Sequence, residues 1–343
     1  MRTALITGVS GEALTPAEAA FLKSAAPCGL ILFTRNCRSE DQIRALVGAV
    51  KEAVGSNELL VLIDQEGGRV QRLKPPLGRL LPPAQAYGRL YERDPEGACQ
   101  AAFLAARLLA DDFAALGINT NCAPVLDVPA PGSHDVIGDR AYGTAPGQVA
   151  ALGRAVARGL LAGGVLPVLK HIPGHGRATK DSHFDLPVVG APREELAATD
   201  FAPFTALREM PAAMTAHVVF AAIDPAAPAS TSEIVTREVI RGEIGFDGLL
   251  MSDDLSMKAL RGSLRDRAEA VIRAGSDVVL HCNGELDEMY GAAAGVPVLA
   301  GEARRRLESA LRVLDRRDSF DQVAAEACLA RAIAIGARPA ESV

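Results

Sequence analysis

The sequence predicts an α/β fold, a (β/α)8 barrel formed as one domain over residues 1–343, and three observations carry that reading. Apolar runs of strand length recur eight times, and each is followed by a segment with helical character. The chain length suits eight strand and helix units plus insertions, about 250 residues being usual for such a barrel. A doubly wound sheet is the alternative built from the same ingredients.

In order, the runs are Thr3 to Gly8, Gly29 to Thr34, Leu59 to Asp64, Ile118 to Asp127, Val165 to His171, Ala213 to Val219, Gly248 to Asp253 and Asp277 to Cys282. Their near-continuous apolar character, without period-two alternation, is that of strands covered on both faces of a parallel sheet. Thr15-Pro16-Ala17-Glu18 marks the first helix start: Thr15 caps, Pro16 suits the first turn and Glu18 closes a capping box. Ser39-Glu40-Asp41-Gln42 repeats the device after the second run. The Pro- and Gly-rich stretches Lys74 to Pro83 and Val128 to Ser133 follow strands and read as surface loops rather than linkers. Neither a domain boundary nor an internal repeat is visible, and Arg304-Arg305-Arg306 reads as the solvated face of a late helix.

Composition narrows the function. With 36 Lys plus Arg against 42 Asp plus Glu, the net charge is −6, and no basic stripe interleaved with aromatics offers a nucleic acid its footing. No apolar run reaches the roughly 18 residues that span a bilayer. The opening residues lack the apolar core and cleavage site of a secretory signal, so a cytoplasmic protein with no membrane partner is expected. Six cysteines (Cys28, Cys37, Cys99, Cys122, Cys282, Cys328) without any Cys-x-x-Cys pair suit reduced, mostly buried thiols rather than disulfides or a zinc site. Thr7-Gly8-Val9-Ser10-Gly11 lacks the third glycine and the distant acid of a dinucleotide loop.

In a barrel the chemistry gathers where the loops leave the carboxyl ends of the strands. Here those ends are polar: Arg35 and Asn36, Asp64, Asp127, Lys170 and His171, His217, Asp253 and Asp254, His281 and Asn283. Lys170-His171-Ile172-Pro173-Gly174-His175-Gly176, followed by Asp181-Ser182-His183, puts three of six histidines within thirteen residues and reads as a mobile loop with reactive groups at one end. Asp181 and His183, two apart, can pair so that the carboxylate orients a protonated imidazole for general acid and base work. A plain loop salt bridge fits the same spacing.

His171 and His175, with His217 or His281, form an alternative metal set, though they flank a Pro-Gly turn instead of sharing a helix face. Adjacent strand residues point opposite ways. Of Asp253 and Asp254, one therefore enters the barrel mouth and the other, taken as Asp254, caps a following helix or meets a cation; Asp253 itself is also a candidate cap. Asp64 to Arg72 packs two acids, two arginines and a glycine pair after a buried strand, which suits clamping of vicinal hydroxyls and equally a rim ion-pair cluster. Aromatics make up 4% of the chain and Trp is absent, so stacking is not the main grip; Tyr142 is the best-placed aromatic.

Together, Asp64 to Arg72, Ala123-Pro124-Val125-Leu126-Asp127, Ile137-Gly138-Asp139-Arg140, Lys170 to Gly176, Asp181-Ser182-His183 and Ser252 to Met257 resemble the single-domain bacterial β-N-acetylhexosaminidases of glycoside hydrolase family 3. The likeness runs in order from Gly29 to Asp277 and weakens at the termini. It implies a TIM barrel without metal or cofactor, acting as a monomer, that removes terminal nonreducing β-linked N-acetylglucosamine from muropeptides during cell-wall recycling. Position by position, it implies Asp253 as nucleophile, His183 as acid/base, Asp181 as its partner, and Asp64, Arg72, Arg140, Lys170 and His171 as the sugar-binding set. One departure is Asp139, where the family more often has Glu.

Retaining glycosidases commonly use two carboxyls about 5 to 5.5 Å apart; the resemblance implies that a histidine replaces one of them, with a covalent glycosyl ester at Asp253. Phosphorolysis, and a barrel that only binds muropeptides, are the competing readings.

Overall fold

The computed structural model describes residues 1–182 and 185–336. Nine parallel segments make the central sheet: β1 (Thr3–Thr7), β2 (Pro27–Leu32), β3 (Leu60–Ile63), β4 (Thr120–Asn121), β5 (Leu166–Pro167), β6 (Leu169–Ile172), β7 (Ala212–Thr215), β8 (Leu249–Asp254) and β9 (Val278–His281). Their order is β5-β4-β3-β2-β1-β9-β8-β7-β6. The two outermost members, β5 and β6, are consecutive pieces of one run separated by Val168, so the sheet closes on itself as an eight-position barrel. Pro124 has no amide hydrogen to offer a ladder. The β4 side therefore continues past it by a parallel bridge between Val125 and Lys170 and by the Leu126 amide donating to the Lys170 carbonyl at 2.7 Å.

Each of the eight expected runs overlaps a barrel strand. Alternation is present but hidden, because both sides are dry. Ala4 and Ile6, Leu60 and Leu62, Ala212 and Met214, Leu249 and Met251, and Val278 and Leu280 fill the barrel interior. Leu5, Val61, Ala213, Leu250 and Val279 face the surrounding helices. The helix Gly301–Leu311 adds Leu307 and Ala310 to the interior cluster. Nearby, Asp277 accepts from the Leu250 amide, Arg241 and Arg306. Arg306 is thus a structural tie, while Arg304 and Arg305 make exposed pairs with Glu308, Glu302 and Asp247.

Helix starts follow the sequence signals in part. Thr15 and Glu18 form the reciprocal box ahead of Pro16–Ala25, and Glu18 also accepts from the Ser10 amide at 2.8 Å, tying down the first loop. Ser39 caps Glu40–Val54, but Gln42 accepts from the Arg38 amide rather than closing a box on Ser39. Gly8 is required by close approach: a Cβ there would lie 2.4 Å from the Cys282 carbonyl oxygen. All six cysteines are free; Cys28, Cys122 and Cys282 are buried in the barrel and the other three half-buried. Among the described residues, no helix is long and apolar enough to cross a membrane.

Candidate active site

At the carboxyl ends of the strands lies a cavity of about 270 Å³. One wall is ionic. Asp64, just past β3, and Glu66, two residues on, share the Lys170 ammonium from β6 at 2.9 and 2.6 Å. Arg140 grips Glu66 with two parallel bonds of 2.8 Å, and Arg72 reaches Asp64 at 3.2 Å while stacking over the Phe33 ring. Burial alone would push the Glu66 carboxyl up; Arg140 and Lys170 outweigh it and hold the group far below the usual carboxylate range. The same mutual support raises Lys170 against its own burial.

The other wall carries Asp253 and His171. Asp253, next to last in β8, keeps partial exposure to the cavity; Asp254 donates its amide to Asp253 Oδ1 at 2.8 Å. Burial would raise this carboxyl, but His171, His217, that amide and Lys170 hold it below its ordinary value. His217 has its own pKa lowered by burial and is engaged at both nitrogens, with Ser230 Oγ at 2.7 Å and the Asp254 carbonyl at 3.0 Å. His171 is set from behind: its Nδ1 lies 2.7 Å from Oδ2 of the fully buried Asp127, and its amide donates to Asp127 Oδ1 at 3.2 Å. That contact makes Nδ1 the protonated nitrogen, so Nε2 is the one left for another partner.

The same Asp127 oxygen accepts from the His175 amide at 2.7 Å. From there to Ala178 the loop is packed down. A Cβ on Gly176 would sit 2.1 Å from the Val128 carbonyl oxygen, Arg177 donates to Asp200 at 2.6 Å, and His134 donates its amide to Ala178 at 2.8 Å. The first half of the loop, expected to be mobile, is in this structure part of the packed rim. Farther on, Ser182 is buried, lines the cavity and lies 3.0 Å from His175 Nε2.

The profile of the glycosyl hydrolase family 3 N terminal domain matches residues 7–315. The chain belongs to glycoside hydrolase family 3. The β-hexosaminidase of Xylella fastidiosa is 41% identical over 296 residues, 85% of this chain and 87% of that protein. That of Alkalilimnicola ehrlichii is 41% identical over 283 residues, covering 81% and 80%. Among solved structures, NagZ from Neisseria gonorrhoeae in complex with N-trifluoroacetyl-D-glucosamine superposes with a TM-score of 0.84 at 33% identity, over 98% of this chain and 97% of that one. β-N-acetylhexosaminidase from Beutenbergia cavernae gives 0.74 at 29% identity, over 96% of each.

In this family 3 glycoside hydrolase, Asp64, Arg72, Arg140, Lys170, His171 and Asp253 all line one cavity. Asp181 is half-exposed beside Ser182, and its carbonyl accepts from the Asp185 amide at 3.0 Å. His183, the expected acid/base, lies outside the described residues, and so does its pairing with Asp181.

Other expectations need correction. Asp254 caps no helix: its carboxylate accepts from the Ser256 amide, the Ser256 hydroxyl and the Cys282 amide, closing a turn within the field of the Arg35 charge, and the next helix starts at Leu264 under a Ser263 cap. Tyr142 is buried in the outer core and does not line the cavity, where Phe33 supplies an aromatic ring among the described residues. The histidines weighed as metal ligands face other partners, His281 pairing with Glu288 at 3.2 Å, and no three His, Cys, Asp or Glu among the described residues are arranged to hold a metal.

Sequence reasoning left Glu66, Asp127 and Ser182 without roles. The first had a signal, its spacing of two from Asp64 in an extended segment, which puts both carboxylates on one side.

Proposed function

We propose that the protein is a retaining β-N-acetylglucosaminidase, a single-domain cytoplasmic monomer that releases terminal nonreducing N-acetylglucosamine from anhydro-muropeptides in peptidoglycan recycling. The observation that carries this reading is a half-buried carboxylate, Asp253, at a strand end facing a cavity walled by cations and acceptors that keep it below its ordinary pKa. A carboxylate so held is a nucleophile at neutral pH and a counter-charge for an oxocarbenium-like transition state. Two relatives named β-hexosaminidase, each about 41% identical, support the sugar class.

In the proposed cycle Asp253 attacks the anomeric carbon while His183, oriented by Asp181, protonates the departing oxygen. A glycosyl ester and a neutral imidazole result. His183 then takes a proton from water, whose oxygen displaces Asp253 and regenerates both groups. Asp64, Arg72, Arg140, Lys170 and His171 hold the sugar's hydroxyls and amide, an arrangement in which charge-assisted bonds replace aromatic stacking.

The test is direct. Asp253→Ala is expected to abolish turnover of aryl N-acetyl-β-glucosaminides, and a slow 5-fluoro sugar is expected to add its mass to the peptide containing Asp253. Turnover by Asp253→Ala equal to wild type, or a label on another residue, overturns the assignment. Cleavage of purified N-acetylglucosaminyl anhydro-muropeptides without formation of a sugar 1-phosphate in phosphate buffer checks substrate and acceptor together.

A further inference from the structure

We infer that His175 and Ser182 are positioning residues: a buried clasp that fixes the segment bearing Asp181 against the strand end that carries His171. The inference rests on the proposed role of Asp181 and His183 in acid/base catalysis.

Among the described residues from Thr179 to Leu186, Ser182 alone is buried; Thr179, Lys180 and Asp185 are exposed and Asp181 and Leu186 intermediate. The segment is fastened at both sides. Before it, Ala178 and Arg177 are held by His134 and Asp200. After it, Val188–Val189 pairs in parallel with Val219–Phe220, and the Val219 amide donates to the Pro187 carbonyl at 2.9 Å. Between those anchors Ser182 turns inward onto His175 at 3.0 Å.

His175 is itself buried, and among the described residues its Nδ1 has no hydrogen-bond partner. A bare lone pair is tolerated there more readily than an orphaned N–H. The network therefore assigns the neutral Nε2–H tautomer, in which Nε2 donates to Ser182 Oγ and the Ser182 hydroxyl proton stays available. Burial, with His171 nearby, lowers the His175 pKa to about 4, which keeps the ring neutral at working pH. The backbone of His175 is fixed by Asp127, the carboxylate that also orients His171. One line of contacts thus runs from a cavity imidazole, through Asp127 and His175, to the residue between Asp181 and His183. A shift of about 1 Å in a positioned group is enough to cost a large rate factor.

The experiment is kcat/KM, which reports glycosylation, for aryl N-acetyl-β-glucosaminides of graded leaving-group pKa. The variants are Ser182→Ala, Ser182→Thr, His175→Gln and His175→Leu, with His183→Ala as the reference. Ser182→Ala and His175→Leu are expected to lose about tenfold on the poorest leaving group, the worth of one neutral hydrogen bond, and much less on the best. Ser182→Thr keeps the hydroxyl and His175→Gln keeps a donor at the Nε2 position, so both are expected to recover most of the loss. A steep His183→Ala series beside flat losses in Ser182→Ala overturns the clasp and leaves the proposed function standing. A flat His183→Ala series overturns the acid assignment, and the clasp with it. If His175→Leu does not fold, Ser182→Ala against Ser182→Thr decides the matter alone.

Discussion

The two walls of the cavity are built on opposite principles. On the Asp64 side every charge is countered at 2.6 to 3.2 Å, three cations (Lys170, Arg72, Arg140) against two carboxylates (Asp64, Glu66). On the Asp253 side the carboxylate that faces the cavity is set among imidazoles, and among the described residues a buried nitrogen of His175 has no hydrogen-bond partner, as Arg72 Nε has none on the first wall. Three positive charges less two negative leave one in excess on the first wall, and Asp253 stands opposite it. Saturated ion pairs give a rigid, pre-arranged grip, whereas the under-coordinated wall retains groups free to take up or give away a bond during reaction.

Removing a carboxylate from the saturated wall is expected to have the largest effect. Glu66→Gln leaves Arg140 buried without its bidentate partner and Lys170 with only Asp64. A loss of about 4 kcal/mol in unfolding free energy by urea titration is expected, as for broken buried pairs, together with a raised KM. A change under about 0.5 kcal/mol would show that the wall is less interlocked than its distances imply.

The under-coordinated wall should show itself in pH. His175 titrates near 6.5 in an unfolded chain and at about 4 when folded, chiefly through burial. Protonation therefore favours the unfolded state. Its contribution is full above about pH 6.5, declines as pH falls towards 4, and is flat below. That difference amounts to about 3 kcal/mol, and His175→Gln is expected to lack this slope in denaturation midpoints measured across the window.

Smaller still is Asp127→Asn. It keeps the shape but weakens three charge-assisted contacts, two to His171 and one to His175, for about 2 kcal/mol. The same change releases the His171 tautomer, so kcat is expected to fall more than stability alone explains. An unchanged kcat with lowered stability would confine Asp127 to a structural part.

Which of these features the sequence disclosed follows from how local they are. The strands were legible because each is dry on both sides, giving runs such as Leu59-Leu60-Val61-Leu62-Ile63. Their limits were not: β4 is only two residues long because Pro124 interrupts the ladder, and Val168 splits the next run. Asp64, Lys170, His171 and Asp253 stood out as polar groups ending apolar runs. Their partners did not, because barrel closure brings together Glu66 with Arg140, 74 positions apart, and Asp127 with His171, 44 apart. Asp254 was misjudged for the opposite reason: an acid after a strand resembles a helix cap, and only the local turn to Ser256 and the Cys282 amide shows that no helix starts there.

The cysteines inside the barrel have a practical consequence. Cys28 and Cys122 lie among the interior side chains, and burial pushes the Cys28 thiol to about 12 and the Cys122 thiol well above its ordinary value. Neither is a thiolate, nor within reach of a reagent, while the barrel is closed. Their alkylation rates, read peptide by peptide beside those of half-buried Cys37 and Cys99, become a built-in gauge of how often the barrel opens, with no foreign label required.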